Sequence, residues 1–142
     1  GVDMPVIPRT IRFVVTVPAN APANSLLVGS NAQVIFDDLI GPVNEITIPL
    51  FSYMLIKDIY IKSTTDVPVD VKIQIIKDGV KFLHETAPVS TLLISNPSRP
   101  PLRLPILFRG GQRLSIRAIN LAPGQATNQT VTVYADVDLY VP

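Results

Sequence analysis

The sequence predicts an all-β domain, a jelly-roll or Greek-key β-sandwich of about eight strands with an extended N-terminal arm. Three observations carry this expectation. Apolar residues recur at every second position, as in Val69, Val71, Ile73 and Ile75 against Asp70, Lys72 and Gln74, which is the period of a half-buried strand. No window places apolar residues at helical spacing over three turns. Finally, 14 prolines and seven glycines cut the chain into short segments bounded by turn residues.

The elements follow in order. Residues 1–8 contain Pro5 and Pro8 but no alternation, and read as an extended arm; residues 9–142 form the single sandwich domain. Residues 9–17 (RTIRFVVTV) put Ile11, Phe13, Val15 and Val17 on one face. The stretch PANAPAN at 18–24 is a stiff loop, because proline fixes φ and removes a ladder donor. Residues 33–36 and 45–50 are weaker strands, the second an edge strand given Pro49. In residues 54–62, Ile59 and Ile61 alternate with Asp58, Tyr60 and Lys62. Residues 69–77 form the best-patterned strand, and Asp78-Gly79 supplies the two left-handed residues of a type I′ hairpin turn leading into residues 80–84.

Five prolines between residues 88 and 105 exclude a helix or a long central strand there, leaving Leu92, Leu93 and Ile94 to pair briefly. Gly110-Gly111 makes a turn into residues 113–120, where Leu114, Ile116 and Ala118 point inward. Residues 131–141 alternate to the end of the sequence, Val131 through Val141 against Thr132, Tyr134, Asp136, Asp138 and Tyr140. A terminal strand this long belongs inside a sheet. Long proline-rich connections suit strands that cross between two sheets, which favours the jelly roll.

Composition narrows the function. At 142 residues the chain has the size of one domain and can build a core without staples. It is 47% hydrophobic and only 16% charged, against about 25% charged in an average domain. No apolar run approaches the ~20 residues of a membrane span, so the apolar excess points to strands buried on both faces or to surface hidden against neighbours. A net charge of +1, with Lys and Arg scattered singly, argues against nucleic acid. The absence of cysteine removes disulfides and thiolate metal sites. The start at Gly1, ahead of Met4, fits a processed N-terminus or a tag remnant.

The residues that carry chemistry do not assemble into a motif. His84 is the single histidine, and no Gly-x-Ser-x-Gly elbow accompanies it, so a hydrolase triad is not expected. Glu45 and Glu85 sit at strand ends, where solvated charges are ordinary, rather than as a glycosidase pair. Asp37 with Asp38, and Asp136 with Asp138, offer oxygen ligands but no calcium-loop pattern. Asn128-Gln129-Thr130 fits the glycosylation acceptor pattern in a loop. No enzyme, no metal and no cofactor is therefore expected.

What remains points to association. An arm such as residues 2–8 can gain structure along a partner's sheet edge, although ordering each residue costs about 1–2 kcal/mol. Tyr60, Tyr134 and Tyr140 occupy the outward phase of their strands. The expected oligomer contacts are Val2, Pro5, Val6 and Ile7 in the arm, with Tyr60, Tyr134 and Tyr140 on the strands.

The segment FRGGQRLSIR, from Phe108 to Arg117, followed by a polar loop and the strand at 130–141, resembles the closing strands of small jelly-roll proteins that build or decorate virus and phage capsids. The resemblance covers about a quarter of the chain. It implies a self-associating virion protein, commonly a trimer, whose partners are itself and other capsid proteins, with no residue role carried over. Two other readings stay open: an extracellular filament or surface-layer subunit whose arm completes a neighbour's sheet, and a carbohydrate-binding module using the outward tyrosines. The expected location is the virion, otherwise the extracellular space.

Overall fold

Two antiparallel sheets pack face to face as a β-sandwich in a computed structural model that describes residues 4–37 and 40–142. The strands are β1 (Val6–Val17), β2 (Leu26–Leu27), β3 (Ala32–Phe36), β4 (Ile40–Val43), β5 (Glu45–Thr47), β6 (Tyr53–Tyr60), β7 (Val71–Lys77), β8 (Lys81–Glu85), β9 (Ile106–Arg109), β10 (Arg113–Asn120) and β11 (Gln129–Tyr140). The first sheet runs β4-β3-β1-β11-β6-β9. The second runs β2-β10-β7-β8, with β5 on the same side of β10 as β2.

The alternation read from the sequence sets the core. Ile11, Phe13, Val15 and Val17 from β1 and Val131, Val133, Ala135 and Val137 from β11 meet Val71, Ile73 and Ile75 from β7 and Leu114, Ile116 and Ala118 from β10. All of them are buried. Each large aliphatic or phenyl group so buried contributes about 1.5–3 kcal/mol. β1 and β11 pair along all twelve residues, from Val6↔Tyr140 to Val17↔Gln129, so the long last strand is central, between β1 and β6.

The Asp78-Gly79 hairpin forms as expected: both residues have positive φ (54° and 74°), and Val80 N–H donates to the Lys77 carbonyl at 3.2 Å. The brief pairing expected after Pro88 is a parallel bridge, Ile61↔Leu93. The PANAPAN loop is held by a buried amide. Asn120 Nδ2 donates to the carbonyls of Pro22 and Ala122 (2.8 and 2.9 Å), and Asn120 Oδ1 accepts from Ser25 N–H at 2.8 Å. Three hydrogen bonds offset the desolvation cost of burying this amide.

Several expectations need correction. Residues 6–8 are the first residues of β1 rather than a free arm, because β11 extends far enough to pair with them. The β5 strand stops at Thr47, and Pro49 lies in a turn closed by Ser52 N–H on its carbonyl. The hairpin strands start at Val71 and Lys81, not at 69 and 80. The strands β2, β4 and β9 were not anticipated. Each has four residues or fewer, too short for a period to register. β6 departs from simple alternation because Lys57 is an extra residue between the pairs Val137↔Ile56 and Asp136↔Asp58, a bulge that shifts the phase by one.

Candidate functional site

The outer face of the first sheet is where the expected association residues gather, and its register builds it row by row. One row crosses Arg12, Tyr134 and Tyr60; the next crosses Thr10, Asp136 and Asp58. Further along, Pro8, Asp138, Leu55 and Leu107 align, then Val6, Tyr140, Tyr53 and Arg109. The first two rows are polar; the last two are mostly apolar, with Asp138 and Arg109 among their residues.

In the polar half the tyrosines are locked by their own chain. Tyr134 and Tyr60 stack at 5.8 Å between centroids, Lys62 lies 4.3 Å from the Tyr134 ring, and the Arg99 guanidinium lies 6.0 Å from the Tyr60 ring. Arg99 Nη1 also donates to Asp58 Oδ1 at 2.8 Å, so the proline-rich crossing is pinned onto the sheet. Tyr60 Oη donates to Asp136 Oδ1 at 2.9 Å. Burial first, then Asp136, push the Tyr60 phenol up to about 12. Lys57 pairs with Asp138 at 3.0 Å and Arg9 with Asp37 at 2.9 Å. Open clefts of ≈ 340 and ≈ 360 Å³ lie against the Thr10–Asp37 corner of this layer.

The apolar half is a contiguous patch. Tyr53 and Tyr140 stack at 4.4 Å and 10°, with Val6 (45% exposed) on one side and Leu55 and Leu107 (37% exposed) on the other. The patch crosses β1, β11, β6 and β9, and β9 is the edge of its sheet, so a row of main-chain groups borders it. Beyond β9 an open groove of ≈ 550 Å³ runs between the β8 and β9 edges, walled by Leu83, Pro101, Leu102, Leu104 and Ile106. His84 lines it too, and its pKa is lowered by burial, an effect that Glu85 partly opposes.

The expected contacts fare differently. Val2 lies outside the described residues. Pro5 is exposed, and its carbonyl accepts from Val141 N–H. Val6 is on the apolar patch; Ile7 is half-buried opposite Leu139, which packs against the core. Tyr140 is half-buried in its stack, and Tyr134 in the polar layer. Tyr60 faces outward as its phase predicts, but it is 6% exposed because Arg99 and Tyr134 cover it, which removes it as a contact. Tyr53, Leu55 and Leu107 were missed. Tyr53 precedes Met54 in an alternating run and was legible by period; Leu107 was not, since β9 itself was not.

The candidate chemical groups stay apart. Glu45 pairs with Arg113, and Glu85 accepts from Gln74 Nε2 at 2.6 Å, at opposite sides of the second sheet. Asp38 lies outside the described residues. Asp136 and Asp138 are engaged by Tyr60 and Lys57. Among the described residues no group of three or more His, Asp or Glu converges to hold a metal ion, and no helix is long and apolar enough to cross a membrane. No protein-family model matches the sequence, and no curated protein matches it.

Proposed function

We propose that this chain is a non-enzymatic structural subunit that associates with copies of itself, as a shell-building or shell-decorating protein of a virion. The observation that carries the reading is the apolar patch Val6–Tyr140–Tyr53–Leu55–Leu107, which crosses four strands and ends on an unpaired sheet edge. Exposed contiguous apolar surface of this kind marks an interaction site, and stacked tyrosines give it rigid contact area at little entropic cost.

The wrapping order supports the jelly-roll part of the reading. With β2, β3 and β4 set aside, the remaining eight strands pair first with last (β1·β11), second with seventh (β5·β10), third with sixth (β6·β9) and fourth with fifth (β7·β8). That nesting is the signature of a hairpin rolled into two sheets.

The two rivals lose support. The arm of a strand-donating filament subunit is partly consumed, since residues 6–8 pair within their own chain. A sugar site would need free ring faces, whereas Tyr60 is buried and Tyr134 is occupied by Tyr60 and Lys62.

The deciding measurement is mass in solution at micromolar concentration by light scattering. The expected result is a closed homo-oligomer, a trimer, that the exposed-site change Leu107→Asp converts to a folded monomer, its melting temperature lowered only by the lost subunit contacts. A wild-type monomer would refute the reading.

A further inference from the structure

At the end of the sandwich where β1 begins and β11 finishes, three reverse turns lie side by side. They are residues 49–52, 110–112 and 78–80. Gly111 N–H donates to the Ile48 carbonyl at 2.8 Å and Ile48 N–H to the Gln112 carbonyl at 2.9 Å. Asp78 N–H donates to the Arg113 carbonyl at 2.9 Å. The tips of the outer two turns are apolar and almost bare: Leu50 is 69% exposed, Phe51 84% and Val80 86%.

Phe51 is also strained. Its φ is +64°, at the third position of a turn closed by Ser52 N–H on the Pro49 carbonyl, where glycine or asparagine normally sits. A phenylalanine there costs of order 1–3 kcal/mol and is the kind of backbone outlier that marks function. The turn is buttressed from below. A Cβ on Gly110 would stand 2.8 Å from the Pro49 carbonyl oxygen and 2.9 Å from the Phe51 nitrogen, so Gly110 lets the two turns pack backbone to backbone.

Charge identifies what meets the tip. Lys77, Lys81, Arg109 and Arg113 surround it, against the two carboxylates Glu45 and Asp78. Both carboxylates are taken by Arg113. Lys77 and Lys81 face one another across the hairpin, a repulsive pairing, and neither they nor Arg109 has an ion pair among the described residues. The apolar groove of a second copy is a poor match, because it carries Arg103 and His84 and no carboxylate. Two turn tips with three bare apolar side chains, flanked by cations without ion pairs, suit a surface that is apolar beneath and anionic above.

We infer that this end of the sandwich docks on an anionic lipid bilayer, with Leu50, Phe51 and Val80 entering the interface and Lys77, Lys81 and Arg109 meeting the headgroups. The attachment is peripheral. Each cation contributes about five-fold to affinity at low ionic strength, and this part is lost in high salt. The self-association proposed above uses the outer sheet face, which this end adjoins at Arg109, in register with Tyr53; Leu50, Phe51, Val80, Lys77 and Lys81 lie outside that patch.

The test is co-sedimentation of the full chain with phosphatidylcholine vesicles, with and without phosphatidylserine. Binding is expected on the serine-containing vesicles and is weakened by salt. The decisive variant is Phe51→Gly, which relieves the positive φ and so keeps or raises the melting temperature while removing the ring. It should weaken vesicle binding about ten-fold or more. Lys77→Gln with Lys81→Gln should reduce binding to anionic vesicles only. The inference is overturned if the wild type binds neither vesicle, or if Phe51→Gly binds like the wild type. It is equally overturned if Phe51→Gly leaves lipid behaviour unaltered while lowering the mass in solution, which would make the tip a protein contact.

Discussion

The hydroxyl of Tyr60, on β6, donates a 2.9 Å hydrogen bond to Asp136, two residues beyond its direct partner Tyr134 on β11. Removing the hydroxyl in Tyr60→Phe loses one bond to a charged acceptor, and a destabilisation of about 1–2 kcal/mol is expected by urea titration. The pH dependence has a definite sign. The phenol ionises near 10 in the unfolded chain and at about 12 in the folded one, so its contribution is complete below 10 and disappears as pH rises through 12. Stability measured across that alkaline window should fall less steeply in Tyr60→Phe than in the wild type; parallel curves would contradict the assignment.

Arg99 connects the proline-rich crossing to the sheet through Asp58 and the Tyr60 ring. In Arg99→Ala the segment should detach locally, with a global loss of only about 1 kcal/mol, the size of a half-exposed ion pair and cation–π contact. The sensitive readout is trypsin cleavage after the exposed Arg103, which should accelerate well beyond what the small drop in stability explains. An unchanged digestion rate would mean the prolines alone hold the crossing.

His84 lines the groove between the two sheet edges with its pKa lowered by burial. Its neutral form is favoured in the folded state, so the stability it contributes is present above about 6.5 and is lost as pH falls through the lower folded value. In His84→Leu the melting temperature should decline less between neutral and mildly acidic pH. If both proteins decline together, carboxylates elsewhere carry the acid sensitivity.

Asn120 is fully buried and spends its amide on two carbonyls. Asn120→Asp keeps the shape but turns an oxygen toward Pro22 and Ala122. A loss of about 3 kcal/mol is expected, roughly a 10 °C lower melting temperature by calorimetry. A near-neutral result would mean water reaches the site.

Much of the sandwich was legible beforehand, for one physical reason. In β1, β7, β10 and β11 the inward residues are the alternate apolar ones, because a pleated strand sends successive side chains to opposite faces. The Asp78-Gly79 hairpin was legible because few residue pairs accept two consecutive positive φ values. The site was less so. Tyr134 and Tyr140 were identified by phase, but neither the cover over Tyr60 nor the membership of Tyr53 and Leu107 followed, since these depend on which strands become neighbours.

The sequence alone determined that the chain builds two-faced strands joined by proline- and glycine-bearing turns, and that its histidine, glutamates and aspartates lack the spacing of a known catalytic or metal motif. These are local properties, written in period and turn chemistry. The tertiary structure decided everything that joins distant segments: Arg99 reaching Asp58 across 41 residues, β9 supplying an edge to the Tyr53–Tyr140 patch, and Gly110 packing against the backbone of the turn at Phe51. Such relations depend on strand order and register. Two strands with the same alternation can pair in many ways, and only the packing of the whole core selects one.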